Sequence, residues 1–319
     1  MGDIMDSAEV PAGLPRGARA SLALVLILLA ALMSRGADAS DVAAVPVAKA
    51  RPAAVRPVAP APVVAPTAPV AAPVPALVAP APAPPPAAPH PVMFIGDSMA
   101  FTAADALAPH ALPRGFTVAN EGIFGCGVVR GGPYRYFGAQ HDLMAHCADW
   151  PARWQAAVER NRPELVAMFV GRWELMDRVH DGRWTNIGDP AFAAYVESEL
   201  DQAITIAGST GARPVLFTAP YYRRGITAIG GLFPEDDPAR VDAVNALIHR
   251  VADRRGVAVL DVGHWLSPEG RYTADVNGIR VRSDGVHLTR ATGDVLAPLL
   301  FPALEEILRT PRPAPAHIQ

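Results

Sequence analysis

The sequence predicts an α/β fold, a three-layer α/β/α domain around a five-stranded parallel sheet. Three observations predict it. From Val92 onward, short apolar runs alternate with longer helical stretches, the rhythm of parallel strands joined by crossover helices. The runs are nearly continuous in apolar residues, as strands buried on both faces are. Chemically distinctive residues gather just beyond the carboxyl ends of these runs, where open sheets of this class bind ligands.

The expected strands are Val92–Ile95, Phe116–Ala119, Leu165–Val170, Pro214–Thr218 and Val257–Leu260. Helical stretches fall around Phe101–Ala108, Pro151–Arg160, Phe192–Ala207 and Pro238–Arg255, with a last one from Arg290 to Leu308. Strand and helix alternate throughout, so the connections are crossovers and the helices cover both faces of the sheet.

What precedes Val92 has a different character. Arg16 and Arg19 lead into an apolar run from Ala20 to Met33, and Ala37-Asp38-Ala39 then places small residues where a signal peptidase reads them. Residues 1–39 therefore read as a secretory signal peptide cleaved after Ala39. If retained, residues 20–33 would attach the chain to a membrane, although a full span wants about 20 apolar residues. Residues 40–91 are nearly all Ala, Pro and Val, a composition that cannot build helix or sheet ladders. They read as a disordered, extended linker, and 311–319 as a C-terminal tail, leaving 92–310 as the folded domain.

The composition excludes several function classes. A net charge of -3 and a pI near 6.3, with basic residues scattered, leave no basic surface for nucleic acid. No Cys/His array has zinc spacing and no glycine-rich phosphate loop is present, so no metal and no nucleotide cofactor is expected. In an exported chain the two cysteines, Cys126 and Cys147, meet an oxidising compartment and are expected to form a disulfide. It would close a loop of about 20 residues and contribute about 3 kcal/mol.

The first strand runs into Gly96-Asp97-Ser98, which puts Ser98 on a strand-to-helix turn. The N–H groups of a helix's first turn have no partners within the helix, so a serine there is either a helix cap or a nucleophile beside ready-made oxyanion donors. A nucleophilic serine needs an imidazole to take its proton and a carboxylate to orient that imidazole. Asp-x-x-His occurs three times, as Asp177/His180, Asp261/His264 and Asp284/His287. The third follows the last strand and precedes the last helix, with Gly285 allowing a sharp turn; Asp261/His264, at the end of the fifth strand, is its rival.

Gly-Asp-Ser at the first strand's end, together with Asp284-Gly285-Val286-His287-Leu288-Thr289, resembles the first and last blocks of the SGNH (GDSL-like) hydrolases. That resemblance implies a flavodoxin-like sheet, Ser98 as nucleophile, His287 and Asp284 as its partners, and Asp97 as a structural residue. It implies an oxyanion hole built from the Ser98 N–H, a glycine after the second strand, for which Gly122 fits, and an asparagine in a GxND block after the third. Here that block reads Gly171-Arg172-Trp173-Glu174, without the asparagine, and Arg172 is the expected substitute. This block, Gly125-Cys126-Gly127 and Ala219-Pro220-Tyr221-Tyr222 resemble the SGNH domains fused to membrane acyltransferase-3 proteins. The resemblance covers Val92 to Leu308 and implies O-acyl, especially O-acetyl, chemistry on a small ester or an acylated cell-envelope polysaccharide. Two functions follow: an extracytoplasmic esterase or acyltransferase, or a glycan-binding or scaffolding module that keeps the fold without efficient chemistry.

Overall fold

The computed structural model describes residues 88–311. The expected signal peptide or anchor, nearly all of the linker and the C-terminal tail from 312 lie outside the described residues. Five parallel strands form the central sheet: β1 (His90–Gly96), β2 (Phe116–Gly122), β3 (Leu165–Phe169), β4 (Arg213–Phe217) and β5 (Ala258–Leu260). Their order is β2-β1-β3-β4-β5, the doubly wound, flavodoxin-like arrangement.

Each expected strand forms, and each expected helix forms at nearly its expected bounds. The helices are α1 (Ser98–Ala111), α2 (Trp150–Asn161), α3 (Pro190–Ala207), α4 (Pro238–Arg255) and α5 (Thr292–Arg309). Helix α1 packs on α5, and α2, α3 and α4 pack in series, giving the two helical layers. Strand β3 is buried at every residue and β1 from Met93 to Gly96 has no exposed position, which is why their sequences are unbroken apolar runs. Local chemistry sets the helix starts: Asp189 and Asp237 accept hydrogen bonds from the first turns of α3 and α4, and Pro190 and Pro238 occupy the first helical position. Trp150 and Trp154 lie in the core with ring centroids 4.6 Å apart.

Gly96 pairs with Gly122 on one side and Phe169 on the other, so β1, β2 and β3 finish level. This shared edge carries the loops of interest. A second, antiparallel sheet, not expected from the sequence, joins Ala139–His141, Tyr134–Tyr136, Arg178–His180 and Arg183–Thr185 beyond it. Strands of three residues are too short to show an alternating pattern. Cys126 and Cys147 are joined, with Cα atoms 5.1 Å apart, tying the loop after β2 to the turn before α2.

Candidate active site

The turn after β1 is forced by close approach. Gly96 has φ +137°, and a Cβ there would run into the Phe169 carbonyl, so only glycine serves. Asp97 caps α1, its Oδ1 accepting the Met99 N–H at 2.7 Å. Ser98 is thereby the first residue of the helix, its hydroxyl at the sheet edge.

The partner loop is equally constrained. Gly285 has φ +88° and presses on the Arg223 carbonyl, where a side chain would not fit. Asp284 Oδ1 accepts the N–H groups of Val286 (3.1 Å) and His287 (2.9 Å), which folds the loop back on itself. His287 Nδ1 then lies 2.8 Å from Asp284 Oδ2, and His287 Nε2 lies 2.9 Å from Ser98 Oγ. Thr102 fixes this loop to α1: its Oγ1 donates to the Ser98 carbonyl (2.8 Å) and accepts the Leu288 N–H (3.3 Å). Three side chains separated by most of the domain's length meet in one hydrogen-bonded line.

Two carboxyl groups here are displaced in opposite directions. Partial burial pushes Asp284 up, but the hydrogen bonds from the His287 backbone and imidazole and from Val286 outweigh it, holding the carboxyl below its usual range. Asp97 is pushed up to about 8 by complete burial and by the nearby Glu174 carboxyl, against the opposing Met99 N–H. Asp284 is thus held toward its ionised form beside the imidazole, while burial displaces Asp97 toward its protonated form.

The other Asp-x-x-His pairs go elsewhere. Asp261 accepts the Thr218 hydroxyl at 2.7 Å and caps a short helix through the His264 N–H; no His264 ring contact to Ser98 exists. Asp177 pairs with Arg240 at 2.8 Å, and His180 stacks on Tyr195.

Two of the expected oxyanion donors already have partners within the fold. The Gly122 N–H donates to Asn120 Oδ1 at 3.2 Å, because Asn120 closes a turn onto the Phe101 carbonyl; it is not free to serve a ligand. In the same loop the Gly125 N–H has no such partner, and Gly125 adopts the left-handed φ of +80°. Arg172 points inward: 2% exposed, it donates from Nη1 to Asp236 Oδ1 (2.7 Å) and the Glu235 carbonyl, and it lies over the Tyr222 ring. The buried ion pair with Asp236 and the contact with the Tyr222 ring hold Arg172 in the core, turned away from Ser98.

Trp173 stands at the third position of that block, where the asparagine would be. Its indole N–H is buried without a hydrogen-bond partner among the described residues, and a Cβ placed on Gly125 would lie 3.8 Å from its ring. Glu174 completes the block by accepting the N–H groups of Gly171 and Val128, both at 2.8 Å. Sequence reasoning also passed over Phe124, whose exposed ring lies 5.5 Å from the His287 ring and 4.9 Å from Phe101. It passed over Arg224 as well, whose Nη1 lies 2.9 Å from Asp284 Oδ2.

The doubly wound sheet brings a serine at the end of its first strand within hydrogen-bond distance of an imidazole from the last loop. The chain belongs to the SGNH domain family, of the kind fused to AT3 domains, whose model matches residues 74–302. It is accordingly an SGNH-type hydrolase or acyltransferase acting on acyl esters. Several solved structures are similar to it at low identity. The periplasmic domain of a lipopolysaccharide acetyltransferase from Salmonella ser. Paratyphi A is 14% identical (TM-score 0.48), over 68% of this chain and 84% of that one. Est24, a carbohydrate acetylesterase from Sinorhizobium meliloti, is 15% identical (TM-score 0.46), over 68% and 99%. A GDSL-like lipase from Bacteroides thetaiotaomicron is also 15% identical (TM-score 0.45), over 68% and 88%. No curated protein matches in sequence.

Proposed function

We propose that the chain is an extracytoplasmic serine enzyme that removes or transfers O-acyl groups, foremost O-acetyl groups, on cell-envelope carbohydrate. The observation that carries this reading is the line Ser98 Oγ, His287 Nε2 at 2.9 Å and, from Nδ1, Asp284 Oδ2 at 2.8 Å. Ser98 Oγ attacks the ester carbonyl as His287 Nε2 takes its proton, and the imidazolium formed is held by Asp284. Collapse of the tetrahedral intermediate expels the sugar hydroxyl, which leaves with the proton from His287, and an acyl-serine remains. Water or a second hydroxyl then attacks the acyl-serine, with His287 acting again as base.

Charge developing on the carbonyl oxygen meets the N–H groups of Ser98 and Gly125 and the indole N–H of Trp173. The exposed rings of Phe124 and Phe101 form an apolar rim beside His287, suited to a short acyl group. Placement outside the cytoplasm is supported by the Cys126–Cys147 bond and by the leader-like residues 1–39, and attachment through 20–33 remains part of the proposal. Among the described residues no helix is long and apolar enough to cross a membrane.

The test is covalent. A fluorophosphonate should label Ser98, and Ser98→Ala should remove both labelling and release of p-nitrophenol from its acetate ester. An unlabelled wild-type protein that still retains wall polysaccharide would instead be a glycan-binding module.

A further inference from the structure

The arginines near the reacting groups divide into two sets. Arg172, Arg224, Arg271, Arg280 and Arg290 each face a carboxylate, of Asp236, Asp284, Glu269, Asp275 and Asp105 respectively. Among the described residues Arg223 and Arg282 face none. Arg282 is 1% exposed, and its Nε, Nη1 and Nη2 have no hydrogen-bond partner among the described residues. An ionised guanidinium in that condition carries an uncompensated desolvation penalty, which a fold tolerates only where something offsets it. Burial pulls its pKa down to about 10, so it remains a cation at neutral pH; the only groups opposing that shift are the phenols of Tyr222 and Tyr272.

Those two tyrosines are walls of a cleft. Its volume is about 200 Å3, and Tyr221, Tyr222, Arg223, Asp236, Arg271 and Tyr272 are among its lining residues. Asp236 contributes no free negative charge there: it is spent on Arg172 Nη1 (2.7 Å) and on the Arg224 N–H (2.9 Å). Arg223 lies at the rim with its guanidinium 5.9 Å from the Tyr272 ring centre. The cleft is continuous with the reacting loop, since the Arg223 N–H donates to the Gly285 carbonyl at 3.1 Å and Arg282 precedes Asp284 by two residues.

From this juxtaposition we infer that the cleft between Arg223 and the Tyr222–Tyr272 wall is a glycan subsite for a sugar bearing an anionic group, a carboxylate or a phosphate. The partly exposed rings of Tyr221 and Tyr272 give the apolar face of a pyranose a surface to lie on, while buried Tyr222 closes the floor between them. A planar guanidinium fork matches either anion, and a second fixed cation behind the tyrosine wall acts through a medium that screens it weakly. The inference rests on the proposed esterase or transferase reading and names its substrate class: an acidic envelope polysaccharide, with the acylated hydroxyl presented to Ser98 from the neighbouring subsite.

Binding to the full chain carrying Ser98→Ala, followed by calorimetry, separates this from the chemistry. Three probes are compared: an oligogalacturonate, a phosphorylated mannan fragment and a neutral xylo-oligosaccharide of equal length. At least one anionic probe should bind about tenfold or more tighter than the neutral one, with the preference shrinking as salt rises. Preference for the first identifies the anion as carboxylate, for the second as phosphate. Arg223→Gln, at an exposed position, and Arg282→Met should each erase most of that preference; if Arg282→Met does not fold, Arg223→Gln alone decides. Equal binding of all three probes, or a preference untouched by Arg223→Gln, overturns the subsite. Fluorophosphonate labelling of the wild-type chain reads the serine chemistry independently, so failure of the subsite and failure of the esterase reading are distinguishable.

Discussion

Arg224 Nη1 lies 2.9 Å from Asp284 Oδ2, the same oxygen that His287 Nδ1 meets at 2.8 Å. One carboxylate oxygen therefore serves both a permanent cation and the imidazole. The arrangement is held from behind, because the Arg224 N–H donates to buried Asp236 at 2.9 Å. Arg224 thereby fixes the position of Asp284 from the side opposite its own loop.

Arg224→Gln removes that ion pair while leaving the backbone anchor in place. Asp284 then loses the contact that holds its Oδ2 beside the imidazole, and activity at neutral pH should fall by about three- to tenfold, mostly in kcat. Arg224→Lys should restore the rate in part. An unchanged kcat would show that Arg224 only packs.

Trp173→Phe keeps the ring contacts to Tyr134 and Tyr136 and deletes one donor, the indole N–H that is otherwise buried without a partner. The loss of one oxyanion donor is worth about 10²-fold in kcat, with little change in KM. Arg172→Met tests the residue that the sequence alone favoured for this role. It should strand the buried Asp236 carboxylate and lower stability, with activity per folded molecule retained.

These two residues mark where the sequence was legible and where it was not. Apolar runs read out β1 and β3 because both faces are buried, and glycines at φ +137° and +88° marked the turns that carry Ser98 and Asp284. The surroundings of Arg172 and Gly122 were not legible for one reason: which polar group already has a partner depends on residues distant in the chain or on a local turn, Asp236 for one and Asn120 for the other. Arg224 was invisible because nothing in its neighbourhood of sequence announces a contact with residue 284. Phe124 was invisible because an exposed aromatic in a glycine-rich loop has no period to read.

The bond between Cys126 and Cys147 holds the loop that carries Phe124 and Gly125 against the turn at Met144. Replacing both cysteines by serine should lower the unfolding free energy by about 3 kcal/mol in a denaturant titration. Labelling by fluorophosphonate should also slow, since the Gly125 N–H loses its fixed position while the line from Ser98 to Asp284 does not. Unchanged labelling would remove Gly125 from the oxyanion site.

Burial of Asp97 couples folding to pH on the alkaline side. Its folded-state pKa, about 8, lies above the ordinary carboxyl value of 3.8, so between these the folded chain holds a proton that the unfolded chain has released. Folding stability from this group is fully present below about pH 4 and is lost as pH rises through 8. Asp97→Asn stays neutral in both states, and its side-chain oxygen can still accept the Met99 N–H. The Tm of the wild-type chain should therefore fall more steeply between pH 6 and 9 than that of Asp97→Asn, and the variant should be the more stable at pH 9. Asp97→Ala also escapes the titration but loses the cap, worth about 1 kcal/mol, so it should lie below Asp97→Asn at every pH. Parallel Tm profiles for wild type and Asp97→Asn would mean that Asp97 is ionised in the fold, with its second oxygen held by water.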